Sequence, residues 1–144
     1  MHAKHIFAVP TFTIQEYFAT HAASPQSGQR EQEILDLHVR NFRQQLAAGV
    51  PIAMGSDVGP FPHGTQAREL VLMVKYGMSP AAALQADLIN GAKLLEWDRQ
   101  IGQLKPGYLA DVIAVSGNPL EDISMLEHVD FVMKGGAIFK KNAP

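Results

Sequence analysis

The sequence predicts an α/β chain that ends in a small antiparallel β part, and three observations carry that expectation. Two short uncharged apolar runs, Ile6-Phe7-Ala8-Val9 and Val50-Pro51-Ile52-Ala53-Met54, read as strands hidden on both faces. Helix-patterned segments separate and follow them, and strands joined through helices run parallel. From Ile101 onward, strand patterns follow one another closely, with a tight turn at Lys134-Gly135-Gly136-Ala137.

Pro10 closes the first run, and a turn-rich stretch follows. His21 to Gly28, rich in Ser, Pro and Gly, reads as a surface loop. From Arg30 to Ala48, Leu35, Val39, Phe42 and Leu46 repeat at helical spacing, and Gly49 ends the helix. The second apolar run is halted by Gly55-Ser56-Asp57. A loop through His63 and Gly64 then leads to a helix over 65–76, with Leu70, Val71 and Val74 available for a core. Ser79-Pro80 opens the next helix, Ser as N-cap and Pro at its first position. Asn90 is expected to cap a last one ending near Leu95. Beyond a boundary near Asp98, strands are expected at 111–115, 129–133 and 138–140. The division is 1–98 for the α/β part and 99–144 for the β part.

The chain has 144 residues, and a complete α/β barrel takes about 250, so at most part of one fits. Twelve Lys and Arg against 14 Asp and Glu leave a net charge of −2, which supplies no basic face for nucleic acid. With no cysteine there is neither a thiolate metal site nor a cysteine nucleophile. The first residues lack a long apolar segment, and no run approaches a membrane span. A cytoplasmic protein that meets neither membrane nor nucleic acid is therefore expected.

Asp57 is the most informative residue. A carboxylate just past a strand's C-terminal end occupies the face where α/β barrels carry their active sites. It could ligate a divalent metal or accept a proton from a metal-bound water; it could equally be a turn former, as Asp is after many strands. His63, in the same loop, and Thr11, at the end of the first run, are candidates for substrate contact. His38 sits beside the apolar stripe and reads as structural. His2 and His5 have no third ligand nearby in sequence, His21 and His128 join no constellation, and the Met residues read as core filler. There is no His-x-His, no His-Glu-x-x-His and no Gly-x-Ser-x-Gly. A catalytic metal normally takes three protein ligands, so the residues taken alone supply half a site at most.

The run from Ala48 to Asp57, the loop Gly59-Pro60-Phe61-Pro62-His63-Gly64, and Ala67-Arg68-Glu69-Leu70 followed by Gly77-Met78-Ser79-Pro80 occur here in a specific order. Ile101-Gly102-Gln103-Leu104-Lys105-Pro106-Gly107 through Asp111, and Asn118-Pro119-Leu120-Glu121-Asp122, continue it. In that order and spacing they resemble the C-terminal portion of the amidohydrolase superfamily, nearest its imidazolonepropionase-like and Xaa-Pro dipeptidase-like branch.

The resemblance implies a metal-dependent hydrolase of a C–N bond in an amide, peptide or cyclic amide. It implies the last two strand-helix units of a distorted (β/α)8 barrel, plus C-terminal strands of a β-sandwich. Residues 6–10 match the seventh strand and residues 50–54 the eighth. Asp57 falls on the position that binds the metal, zinc in the first instance, and activates the hydrolytic water. The loop of His63 falls beside a small-molecule or peptide-like substrate. The family's histidines and bridging lysine have no counterpart here, so the chain is expected to be inactive alone. It is expected either to associate with itself or to be complemented by an N-terminal barrel portion. Two rival readings remain: a non-catalytic assembly module, and a small-molecule binder that uses the Asp57 and His63 loops without metal.

Overall fold

The computed structural model describes residues 6–142. His2 and His5 lie outside the described residues. The two apolar runs lie side by side: Ala8 donates its N–H to the Pro51 carbonyl at 2.9 Å and accepts from the Ala53 N–H at 3.0 Å. This is a parallel bridge of Ala8 with Ile52, in the sense the sequence predicts. It is also isolated, so the two expected strands are single-bridge segments rather than a ladder. Pro10 and Pro51, one in each segment, have no N–H to lend to a longer one.

The stretch after Pro10, read above as turn-rich, is helix α1 (Phe12–Thr20). Thr11 stands at its N-cap, a residue type that often starts a helix, but its side chain makes no capping bond. Helix α2 (Pro25–Ala47) begins earlier than the expected Arg30, and only 21–24 of the expected loop remain. Ser24 and Ser27 form a reciprocal capping box, with Pro25 at the first helical position. The expected stripe does face inward: Leu35, Val39 and Phe42 are buried, and Leu46 packs partly against them. Phe12 is fully enclosed, its ring against Phe42 at 5.0 Å and Tyr76 at 4.7 Å between centroids. Gly49 leaves the helix at φ 66°, as its C-cap role requires.

Helix α3 (Arg68–Lys75) is shorter than the expected 65–76. Leu70, Leu72 and Met73 are its buried apolar residues; Val71 and Val74 are only half-buried. Helix α4 (Pro80–Gln85) starts as read, the Ser79 hydroxyl accepting from the Ala82 N–H at 3.2 Å. It then widens into one π turn (Ala86–Asn90) before α5 (Gly91–Leu94). Asn90 does not cap α5. Its side-chain amide donates instead to the Ile52 carbonyl at 2.7 Å, because the wide turn carries it over the second strand segment.

The C-terminal strands β1 (Val112–Val115), β2 (Val129–Lys134) and β3 (Ala137–Lys141) form an antiparallel sheet in that order. Gly135 and Gly136 turn the last hairpin at φ 56° and 81°, as a two-residue turn with both φ positive requires. Asp111 accepts from the Gly135 N–H at 2.7 Å, which gives it a structural role at the start of the sheet. A 3-10 turn (Ile123–Glu127) buries Ile123 and Leu126 in the same cluster as Leu72 and Phe42, so the β part is anchored on the helices. No helix of the described residues is long and apolar enough to cross a membrane.

Candidate functional site

The parallel bridge gives the two segments a common direction, so their C-terminal ends lie together. Each end then passes through a left-handed residue: Thr11 at φ 52° and Asp57 at φ 51°. Among the described residues only Glu96 is the other non-glycine with positive φ. A β-branched residue in that region is held at a cost of about 1–3 kcal/mol. The surrounding contacts over-determine it.

Glu69 of α3 is one of those contacts. It is fully buried, and its carboxylate accepts from Phe12 N at 2.8 Å, Thr13 N at 2.7 Å and the Thr13 hydroxyl at 2.7 Å. These main-chain N–H groups are orphan donors of the first turn of α1, so Glu69 is the helix's cap, supplied from another element. Burial pushes its carboxyl above the usual range, against the opposing pull of the three donors. On the other side His38 of α2 packs edge-on against Phe12, 4.7 Å between centroids, and hydrogen-bonds the Pro10 carbonyl. Pro10 to Thr13 is thus fixed from both sides. Where the two segments come together, Gly55 leaves room for Val9: a Cβ there would lie 2.6 Å from Val9 Cγ1.

Burial holds the His38 imidazole below its ordinary value of 6.5, outweighing the Pro10 hydrogen bond, which acts in the opposite direction. As pH falls below 6.5, the unfolded chain takes up this proton before the folded protein does. Stability is therefore present above that pH and lost beneath it. His38→Gln is expected to flatten the acid limb of a melting-temperature profile; an unchanged limb would show that His38 does not couple to folding.

Asp57 is exposed, and so is His63, on the turn between Pro62 and Gly64. That turn is braced by itself: the Thr65 hydroxyl donates to the Pro62 carbonyl at 2.7 Å, and Gly64 N to Gln66 Oε1 at 2.7 Å. Thr11 is half-buried. Beside these loops Arg68 grips Glu16 through two bonds of 3.0 Å, tying α3 to α1. A cleft of about 300 Å³ there is lined by Tyr17, Phe61, Thr65 and Glu127, among others, but not by Thr11, Asp57 or His63. The sequence reading missed Glu69 and the Glu16–Arg68 pair. Arg68-Glu69 stood in a motif of the resemblance, but nothing local marks either as a partner of α1.

The sequence matches the Amidohydrolase family over residues 6–139. The chain belongs to the amidohydrolase family. It is 36% identical over 148 aligned positions to ochratoxinase from Aspergillus niger, covering 97% of this chain and 30% of that protein. It is 31% identical over 102 positions to imidazolonepropionase from Geobacillus kaustophilus, covering 67% of this chain and 24% of that one. In shape it is similar to the crystal structure of a Xaa-Pro dipeptidase with bound methionine in the active site. The TM-score is 0.88 at 36% identity, over 97% of this chain and 36% of that one. This amidohydrolase chain thus matches between 24% and 36% of the length of these relatives.

Amidohydrolases generally bind divalent metals. The described residues do not fit one by themselves: no group of three or more His, Asp or Glu comes together to hold an ion. Asp57 offers a single exposed carboxylate where a catalytic zinc takes three protein ligands.

Proposed function

We propose that this chain forms part of a hydrolase that cleaves a C–N bond in an amide, peptide or cyclic amide. Residues 1–98 would supply the last two strand-helix units of its barrel, and residues 99–144 the C-terminal half of a β-sandwich. In that assembly Asp57 contributes one carboxylate to a divalent-metal centre, zinc in the first instance. The other donors come from outside this chain. Thr11 and His63 face a small-molecule or peptide-like substrate. The observation that carries this reading is the parallel bridge whose two segments both end in strained left-handed residues, Thr11 and Asp57. Strain of this kind gathers at functional sites, and barrel enzymes keep theirs at the C-terminal ends of the strands.

A chimera tests it, in which this chain replaces the matched 30% of ochratoxinase. The chimera is expected to retain metal and amide hydrolysis, and Asp57→Asn is expected to lose at least about a hundredfold in rate, as loss of a charge-stabilising group does. A folded chimera indifferent to Asp57→Asn would overturn the assignment. The chain alone, dialysed after zinc loading, is expected to keep less than stoichiometric metal and to turn over neither a dipeptide nor an imidazolone. Stoichiometric zinc with turnover would overturn the need for outside donors.

A further inference from the structure

A second cleft, of about 440 Å³, lies between α2 and the end of α3, lined by Gln32, Asp36, Arg40, Arg43, Lys75 and Tyr76 among others. It shares no lining residue with the cleft beside Glu16, and none of Thr11, Asp57 or His63 lines it. On α2, Gln32, Asp36, Arg40 and Arg43 recur at helical spacing, a polar stripe beside the apolar one. Three of the chain's 12 Lys and Arg thus gather around one space, and a single carboxylate lines it with them.

That carboxylate does not neutralise them. Asp36 precedes Arg40 by one helical turn, the spacing at which an acid and a base pair on a helix. Instead it accepts from the Gln32 side-chain amide at 2.9 Å, and among the described residues neither Arg40 nor Arg43 forms an ion pair. Arg43 is only partly engaged: its Nε donates to the Tyr76 carbonyl at 3.1 Å, which fixes the guanidinium at the cleft while its terminal nitrogens take no acceptor among the described residues. Lys75 Nζ comes no nearer than 4.0 Å to Glu16 Oε1, an oxygen that Arg68 already holds at 3.0 Å.

Tyr76 supplies an independent sign. Its side chain is buried, yet its hydroxyl makes no hydrogen bond to any described residue. Burial, with Glu16 and Asp36 nearby, holds that hydroxyl above its ordinary range, so it stays protonated and can donate. No sealed side-chain nitrogen or oxygen among the described residues lacks a partner, so the hydroxyl opens to water, and the cleft that Tyr76 lines gives it that opening.

We propose that this cleft binds a dianionic phosphoryl group, as inorganic phosphate or a small phosphate monoester, held by Arg40, Arg43 and Lys75 with the Tyr76 hydroxyl as a further donor. Guanidinium forks match the oxygens of a phosphate in pairs. A phosphate monoester carries close to two negative charges at neutral pH, and three cations against one carboxylate leave a surplus of two. The volume is that of a small-molecule pocket. This inference goes beyond the hydrolase reading and stands whether or not the chain contributes to catalysis.

Calorimetric titration of the full chain with sodium phosphate at constant ionic strength tests it. Saturable binding of one equivalent is expected at millimolar concentration or below. Arg40→Gln, at an exposed side chain with no ion pair to lose, is expected to weaken binding about tenfold, as loss of one charge-assisted hydrogen bond does. Asp36→Asn is expected to tighten it by removing the opposing charge, and Tyr76→Phe to weaken it by a smaller factor than Arg40→Gln. Arg30→Gln, on the same helix but outside the lining, is the control and should leave it unchanged. Glycerol phosphate is the second probe: affinity equal to that of phosphate or higher identifies a monoester site, its exclusion identifies the free ion as the occupant, and either upholds the phosphoryl assignment. Absence of saturation, equal losses in Arg40→Gln and Arg30→Gln, or tighter binding of succinate than of phosphate would overturn it. An unchanged affinity in Tyr76→Phe would overturn the role of the hydroxyl.

Discussion

Glu69→Ala should lower the unfolding free energy by about 3 kcal/mol, the largest loss expected of any single side chain here. Two main-chain donors, Phe12 N and Thr13 N, would lose their acceptor in a site closed to water. Each such orphan costs about 1–3 kcal/mol, and an absent N-cap costs a helix about 1 kcal/mol. Urea unfolding measures it. Glu69→Gln keeps one carbonyl acceptor but turns an amide NH2 toward a second donor, so it should lie between the two.

The pH dependence carries a further sign. The folded pKa of Glu69 is raised by burial, so the stability tied to its proton is full below the ordinary carboxyl range and is lost as pH rises through the folded value. Glu69→Gln should abolish that slope. A wild-type profile that rises with pH across this window would mean that the three donors outweigh burial.

Gly102→Ala should be nearly as damaging, at more than about 2 kcal/mol. Gly102 has φ 86°, and a Cβ there would collide with the Leu88 carbonyl oxygen and lie 3.0 Å from Ala92 Cβ. Left-handed strain in a residue with a side chain costs about 1–3 kcal/mol by itself, and a backbone oxygen cannot step aside. Gly107 is the control: it has φ 89° but nothing within 4 Å of the built Cβ. Gly107→Ala should therefore show the strain alone. Equal losses at the two positions would mean that the close approach to Leu88 contributes nothing.

Legibility in the sequence followed the range of the signal. The Ser79-Pro80 start, the Gly49 stop, the α2 stripe and the Gly135-Gly136 hairpin were readable because each is decided by neighbours within a few residues. Ser24-Pro25 carries the same start signal as Ser79-Pro80. There the signal stands alone, because Gln26, Ser27, Gly28 and Gln29 bring no apolar residue to show a period. Helix α1 was unreadable for a different reason. The side chain that satisfies its first N–H groups is 57 and 56 residues away in sequence, and Thr11 beside Phe12 makes no capping bond.

The same distinction applies to the site. Position at a strand end singles out Asp57 and Thr11, and the backbone at both is left-handed. The clamp by His38 and Glu69 could not be seen, because it exists only once α2 and α3 have docked on Pro10–Thr13. His63 stands out in the sequence for its loop and for the resemblance, and the structure leaves it exposed and outside the lining of the cleft.

The π turn at Ala86–Asn90 also determines how the chain tolerates changes of length. A π turn holds about one residue more than an α turn, so it is an insertion absorbed inside a helix. Removing one residue, for instance Asp87, whose carboxyl burial already pushes up, would let the segment relax to an α-helix. Everything beyond would then rotate by about 100° about the helix axis. Asn90 would swing off the Ile52 carbonyl, and Ala92 would leave the pocket that accepts Gly102. A deletion of the same size in the exposed 21–24 loop meets no such coupling. Length variants of this chain should therefore accumulate in that loop and be absent between Ala86 and Gly102.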